Sequence, residues 1–402
     1  MPIDVAVVGG GPIGLAVARA ASESGARTVV FERNPEDFPP TCCTGIISPR
    51  TLAVLGVSDN SLLREIRSIR VHIPSGRQID LRSNEVKAVV IDRRELEREL
   101  ARNAQQAGAT VQFESKAIGA ESANLQVQSG PKIESIPASV IVGADGPRSQ
   151  VAKWFSLEQP SAFISAIQVE LEAESSHSDR VDVYVGDEVA PGFFGWRVPA
   201  EEGIMRVGVG VLPPHAPSAF LERLLANRFP HLRVRSHSAG VIPLAAVPKP
   251  TAAGVILVGD AAGHVKPLSG GGLYTGGLCA RIAGETAARI AESAARIVRS
   301  GARIAGSKGH VHDLLAAYTE RCLEAIGKEQ AFGSSIRHYL SQLRDEDVEA
   351  AVSALDDRQF LQFLADHADI DCFHQLPDRL ASEPRLWTTI LRIAPLLGSR
   401  IE

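Results

Sequence analysis

Hydrophobic residues run from Ile3 to Val8, stop at a glycine cluster, recur at helical spacing from about Ile13 to Ser24, and run again from Thr28 to Glu32. This pattern predicts a buried strand, a tight turn, a helix and a second strand, together one βαβ unit. Beyond Pro39-Pro40 a turn-rich segment reaches Pro49 and leads into a short helical stretch, while Val71 to Leu81 reads as a hairpin turned at Pro74-Ser75-Gly76. From Asp92 to Gly108 charged residues surround Leu96, Leu100 and Ala104 at helical spacing, and Asp92 is placed to cap that helix. Short strands are expected across Val111 to Val142. From about Ala162 to Leu244 the pattern alternates, as in Arg180 to Val185 and Met205 to Val211, which predicts a sheet. Val255 to Val258 is a further buried strand. A glycine-rich loop, an Ala-rich helix over about Tyr274 to Val298, and only helices from Asp313 onward follow it.

Gly9-Gly10-Gly11-Pro12-Ile13-Gly14 fits the spacing G-x-G-x-x-G where the first strand gives way to the first helix. In that setting Gly9 permits the tight turn, Gly11 lets the backbone approach a pyrophosphate, and Gly14 lets helix and strand pack closely. The helix N-terminus offers free N–H groups and the positive end of its dipole to phosphate. Glu32 ends the second strand 18 residues after Gly14. A carboxylate there accepts hydrogen bonds from ribose hydroxyls and repels a 2′-phosphate, so the dinucleotide read from these residues is FAD or NAD.

Val258-Gly259-Asp260-Ala261-Ala262-Gly263, with Gly270-Gly271-Gly272 before the next helix, resembles the flavin-contact motif of the p-hydroxybenzoate hydroxylase-like FAD superfamily. The resemblance implies that FAD is the cofactor, that Asp260 binds its ribityl chain, and that Gly270, Gly271 and Gly272 face the flavin pyrimidine. Gly143-Ala144-Asp145-Gly146-Pro147-Arg148-Ser149 matches the superfamily's internal D-G motif, which implies a cofactor role for Asp145. Arg93, in Ile91-Asp92-Arg93-Arg94-Glu95-Leu96, stands where the superfamily places an FAD-binding arginine. Three further segments resemble the geranylgeranyl reductase family. Cys43-Thr44-Gly45-Ile46-Ile47-Ser48 is similar to its C-x-G-x-x-S segment. Pro191-Gly192-Phe193-Phe194-Gly195-Trp196-Arg197-Val198-Pro199 is similar to the P-x-x-Y-x-W-x-F-P segment that lines its lipid pocket. Pro267-Leu268-Ser269-Gly270-Gly271-Gly272 is similar to its P-L-T-G-G-G loop. The likeness covers nearly the whole chain and is weak after about residue 300.

That resemblance implies an FAD-dependent reductase that saturates C=C bonds of prenyl lipid chains, with a hydride from N5 of reduced flavin and a proton at the other carbon. It makes Cys43 a candidate catalytic residue and Phe193, Phe194, Trp196 and Pro199 the lining of the substrate pocket. Positive charge developing at the tertiary carbon of an unactivated alkene is expected to draw on the aromatic faces by cation–π attraction. The chain departs from the family pattern at Phe194 for Tyr, Val198 for Phe, Ser269 for Thr, and Lys266 where Asn or Asp is common, so an altered pocket is expected. Plain core packing remains open for Phe194 and Trp196, and burial as a small hydrophobe for Cys43 and its neighbour Cys42. His264 receives no role, and His310 and His312 read as surface residues. With no second glycine fingerprint in view, electrons are expected from an external donor: NADPH, a ferredoxin or another reductant. Two other functions compete. One is a flavin-dependent monooxygenase or halogenase, whose W-x-W-x-I-P strand is partly resembled by Phe194 to Pro199 and whose tunnel lysine is Lys87 or Lys266. The other is a non-catalytic prenyl-lipid or flavin carrier.

Length and composition narrow this picture. The chain of 402 residues suits two or three domains, and 45% apolar residues supply real cores. The expected fold is α/β: a Rossmann-like FAD-binding domain built from residues 1–161 and 245–300, an inserted antiparallel β-sheet substrate domain at 162–244, and a helical C-terminal region at 301–402. Charge is near balance, with 42 basic and 47 acidic residues and a net −5, and no basic block marks a nucleic-acid partner. Cys42, Cys43, Cys279, Cys322 and Cys372 lack the paired spacings of zinc or iron–sulfur ligands, so no metal and a reducing, cytoplasmic setting are expected. No basic stretch precedes the first apolar run, and no stretch offers the ~18 apolar residues of a spanning helix. Membrane contact is therefore expected only at the periphery.

Overall fold

A computed structural model describes residues 3–37, 43–173, 179–300, 305–387 and 389, so the readings at Pro39-Pro40, at Cys42 and at the far C-terminus fall outside the described residues. Ile3–Val8 pairs in parallel with Thr28–Phe31 on one side and Lys132–Gly143 on the other. Val255–Leu257 and Thr110–Gln112 extend this sheet in parallel at its two sides. A parallel neighbour requires a crossover, which the helix Pro12–Glu23 supplies between the first two strands. Side chains of the central strand alternate between two cores. Val5 and Val7 pack with Val17 and Ala283 from the helices Pro12–Glu23 and Leu273–Ser300, while Ala6 and Val8 pack with Leu125, Val127 and Ala152. Cover on both faces is why this strand reads as an unbroken apolar run. Asp92 caps the helix Arg93–Gln106 by accepting from the Arg94 and Glu95 N–H groups, at 2.8 and 3.3 Å.

The second sheet has seven strands in the order Val234–Pro243, Phe163–Glu172, Ile204–Val211, Gly195–Pro199, Arg180–Tyr184, Ser68–His72 and Gln78–Arg82. Its pairings are antiparallel except that Arg180–Tyr184 runs parallel to Ser68–His72. The hairpin read from Val71 to Leu81 thus belongs to this sheet, although it lies within the segment 1–161 expected to serve the nucleotide domain. It covers an edge of Arg180–Tyr184 that the inserted segment alone would leave unpaired.

A three-stranded sheet of Ile46–Ile47, Ala88–Ile91 and Leu62–Ile66 joins the two larger ones. Along Ala88–Ile91, Val89 and Ile91 pack with Leu15 and Leu96 of the nucleotide domain. Ala88 and Val90 pack with Trp196 and Val198 of the second sheet. Helix Ala305–Leu340 lies against Leu273–Ser300 through Leu314, Tyr318, Cys322 and Ile326, and the helices Asp345–Leu355 and Arg358–His367 follow it. His310 and His312 are exposed. Among the described residues, no helix is long and apolar enough to cross a membrane.

Candidate cofactor and substrate site

The glycine fingerprint divides its labour by packing. Gly9 has a φ of +106°, and a Cβ on it would stand 2.4 Å from the Ala144 carbonyl oxygen; one on Gly14 would stand 2.0 Å from the Gly9 oxygen. Both are required by close backbone approach. Gly11 differs, because nothing lies within 4 Å of its Cβ position. It caps the helix Pro12–Glu23 in extended conformation with no side-chain hydrogen bond, which leaves the first-turn N–H groups facing open space. Glu32 sits beside them: its carboxylate accepts from Gly10 N–H at 2.7 Å and Asn34 N–H at 2.9 Å. Two oxygens with about four acceptor sites retain capacity for ribose hydroxyls.

Asp260 lies at the start of a helical turn beyond the strand Val255–Leu257, and its Oδ1 is 3.0 Å from where a Cβ on Gly272 would stand. Burial pushes its carboxyl up to about 6 against the opposing pull of Arg93. Arg93 is the first residue of its helix. It donates to Glu97 at 2.6 Å while its buried Nε has no partner. Burial opposes its charge, yet the facing Cys43 and Glu97 hold it cationic and raise its pKa. Asp260, Gly272, Arg93 and Cys43, far apart in sequence, therefore gather in one place. Asp145 acts locally, accepting from Ser149 Oγ at 2.7 Å and from Gln150 and Val151 N–H at 2.6 and 3.1 Å. It thereby fixes the segment whose Ala144 carbonyl backs Gly9.

The aromatic residues form a shelf next to this place, in which Phe193 and Phe194 are partly buried and Trp196 is a buried core residue packed with Val90, Ala166 and Val198. Phe193 and Phe194 stand in the turn before Gly195–Pro199 rather than within the strand, and stack with centroids 4.1 Å apart. Phe194 meets Trp196 edge-on at 6.2 Å. Glycines on the neighbouring strand make room: a Cβ on Gly208 would stand 2.4 Å from Trp196 Cζ2, and one on Gly210 2.5 Å from Phe193 Cδ1. Phe193 Cζ also lies 3.4 Å from the Cβ position of Gly270. Trp196 Nε1 donates to Gln168 Oε1 at 3.0 Å, and Gln168 Nε2 donates to the Cys43 carbonyl at 3.2 Å. Arg206 donates to the Thr44 and Ile91 carbonyls, so the sheet holds the Cys43 loop at successive residues. Cys43 Sγ accepts from Gly45 N–H at 3.3 Å. Pro199 ends its strand opposite Met205.

Sequence reasoning missed several participants. Arg337, on the helix Ala305–Leu340, donates to the Pro267, Leu268 and Gly192 carbonyls and places its guanidinium 4.5 Å from the Phe193 centroid. Burial pushes its pKa down to about 10. Stacked on Phe194 and met by Arg337, Phe193 offers no free face to a second cation; of the stacked pair, only Phe194 remains for that role. Lys266, read as a candidate tunnel lysine, is instead buried and paired with Asp371 at 2.8 Å, and Lys87 donates to the Asp366 carbonyl. His264, Cys279 and Cys322 bring ligand-type atoms within 4.8 Å of one another in the core. Burial pushes His264 down to about 4, and a hydrogen bond with Cys322 together with burial raises the Cys279 thiol, so both of these side chains are neutral. Residues on separate helices carry no joint signal in sequence. The glycines at 208 and 210 opposite two aromatics do, because paired strands at alternate positions need such relief.

These residues fit FAD. Uncapped N–H groups over an open Gly11 suit a pyrophosphate, a desolvated Asp260 suits ribityl hydroxyls, and the unpartnered Arg93 Nε suits a further acceptor. Comparison with known proteins agrees. Residues 2–218 match the family model described as FAD binding domain. A digeranylgeranylglycerophospholipid reductase of Methanothrix thermoacetophila is 29% identical over 365 residues, 87% of this chain and 90% of the relative. Digeranylgeranylglycerophospholipid reductase 1 of Methanothermobacter thermautotrophicus is 30% identical over 383 residues, 89% and 91% of the two chains. A geranylgeranyl bacteriochlorophyll reductase-like protein of Thermoplasma acidophilum has the same fold, with a TM-score of 0.81 at 22% identity over 98% of this chain and 99% of that one. A p-nitrophenol 4-monooxygenase of Pseudomonas putida is less similar, with a TM-score of 0.68 at 17% identity over 96% and 98%.

Proposed function

The chain belongs to the FAD-binding geranylgeranyl reductase family, and on that premise we propose that it saturates C=C bonds in the prenyl chains of a polar lipid. The two relatives are named as reductases of digeranylgeranylglycerophospholipid, and a lipid of that class is the substrate proposed here. One observation carries the reading: the aromatic shelf abuts the glycine loop of the cofactor site, with Phe193 Cζ 3.4 Å from the Cβ position of Gly270. Phe193, clamped by Arg337, joins the shelf to that loop, and an apolar chain laid on Phe194 is thereby brought up to the cofactor.

FAD is the cofactor, and once reduced it supplies a hydride from N5. The chain's own residues do the rest. The first-turn N–H groups at Gly11 hold the pyrophosphate, Glu32 the ribose, and Asp260 and Arg93 the groups between ribityl chain and ring. Phe194 excludes water and orients the alkene, backed edge-on by the buried Trp196, whose indole Gln168 fixes. Cys43 brings an Sγ–H to the same place, its loop pinned by Gln168 and Arg206, and is the proposed proton carrier. Electrons come from an external donor, and a lipid substrate calls for peripheral contact with a membrane.

The halogenase reading needs a lysine aimed into a tunnel, and the ammonium groups of Lys87 and Lys266 are taken up by the C-terminal region. An anaerobic assay with a panel of prenyl lipids, read by mass spectrometry, tests the proposal. Saturated products without oxygen support it; products formed only in air, carrying an added oxygen, identify an oxygenase instead.

A further inference from the structure

Asp371 is 2% exposed, and its two oxygens reach different loops. Oδ2 accepts from Ser48 Oγ, and Oδ1 accepts from Lys266 Nζ at 2.8 Å. Ser48 ends the Cys43–Ser48 segment and caps the helix Pro49–Leu55 by accepting from Thr51 N–H at 3.2 Å. Lys266, 6% exposed, also donates to the Ile370 carbonyl at 2.6 Å. Its backbone binds the glycine loop at two points, Lys266 N–H to Gly271 O at 3.0 Å and Gly270 N–H to Lys266 O at 2.8 Å. Its Cε and Nζ lie 2.9 and 3.3 Å from the Cβ position of Gly271, so the ammonium is the end of the pair set against that loop. Arg50 holds Asp369 at 2.6 Å and approaches Asp371 at 3.7 Å, which anchors the same segment from outside.

Burying an ammonium and a carboxylate is a poor way to gain stability, because hydrophobic side chains of similar volume commonly do as well. We propose that Asp371 is a positioning residue, setting the Cys43–Ser48 and Lys266–Gly272 loops about the bound cofactor, and that the Lys266 ammonium beneath Gly271 favours the negative charge FAD gains on reduction. This rests on assigning the two loops to the flavin, and is independent of the substrate.

The test compares wild-type holoenzyme with Asp371→Asn and with the double variant Lys266→Met/Asp371→Leu, which leaves no unpaired buried charge. The readouts are the midpoint potential of bound FAD, its absorption spectrum, and reoxidation of the reduced flavin by prenyl lipid. In the double variant the potential is expected to move negative with the spectrum altered, and reoxidation to slow by roughly tenfold to a hundredfold. In Asp371→Asn, where the ammonium loses its counter-charge, the potential is expected to move positive. Potentials equal to wild type, or shifted in one direction in both variants, overturn the proposal. Loss of FAD from the double variant with an unshifted Asp371→Asn potential overturns it as well. Because potentials are read without lipid, a wild-type enzyme that fails to reduce prenyl lipids defeats the functional proposal and leaves this one standing.

Discussion

Gly11→Val separates the needs of the cofactor from those of the fold. Gly11 has φ −70° and ψ 175°, a conformation a β-branched residue adopts without strain, and its Cβ position is open to 4 Å. The chain should therefore fold. Val is a poor N-cap, which costs about 1 kcal/mol and a melting temperature lower by roughly 2–4 °C. The isopropyl group then fills the space above the uncapped N–H groups. Losing two charge-assisted hydrogen bonds to phosphate costs roughly 3–6 kcal/mol, a Kd for FAD raised by about 10²–10⁴. Titrating FAD into cofactor-free protein by flavin fluorescence, alongside thermal melts, measures both quantities. Gly14→Ala is the contrasting control, since its Cβ meets the Gly9 oxygen at 2.0 Å and the fold itself should suffer. A Gly11→Val protein that loads FAD stoichiometrically with wild-type affinity would refute the assignment of the phosphate site.

Other perturbations probe the remaining parts. Without cofactor the Asp260 carboxyl is raised to about 6, and the ionised form accepts hydroxyl hydrogen bonds more strongly, so FAD affinity should fall as pH drops through 6. Asp260→Asn should abolish that dependence, and a wild-type Kd that is flat between pH 5 and pH 7, a window of about one unit either side, would remove Asp260 from the site. Cys43→Ala should keep FAD and melt near the wild-type temperature but reduce alkenes slowly in single turnover; a variant that melts early and turns over normally makes Cys43 a packing residue. Arg337→Met should raise KM for lipid by roughly tenfold, with a smaller fall in kcat, because carbonyls in the Gly192 turn and the Pro267–Leu268 loop lose a charged donor. Unchanged KM would show that the clamp does not shape the shelf.

How much of the molecule is legible in its sequence follows from sequence distance. The fingerprint, Asp92 as a cap and the hairpin at Pro74-Ser75-Gly76 are local features, where a spacing or a turn residue determines the geometry, and each is readable from its own neighbourhood. The capture of that hairpin by the second sheet is not, because edge pairing with Arg180–Tyr184 depends on which strand is left open once the chain has folded. The same holds for Arg337 and Asp371: a lone arginine and a lone aspartate on C-terminal segments carry no pattern until the fold delivers Arg337 to the Gly192 and Pro267 carbonyls and Asp371 to the Lys266 and Ser48 side chains. Phe193 shows the converse. Its identity and neighbours suggest a face for a developing cation, but only the structure reveals that Arg337 and Phe194 already occupy its ring.

The central claim, that reduced flavin on this chain saturates prenyl double bonds, is tested most directly by stoichiometry in the absence of oxygen. Holoenzyme is reduced with dithionite, freed of excess reductant and mixed anaerobically with a prenyl glycerophospholipid, while flavin absorbance and lipid mass are followed together. The expected result is one flavin reoxidised for each double bond lost, with the lipid heavier by one pair of hydrogens per event. Flavin that stays reduced beside bound lipid of unchanged mass would contradict the claim and mark the protein as a carrier.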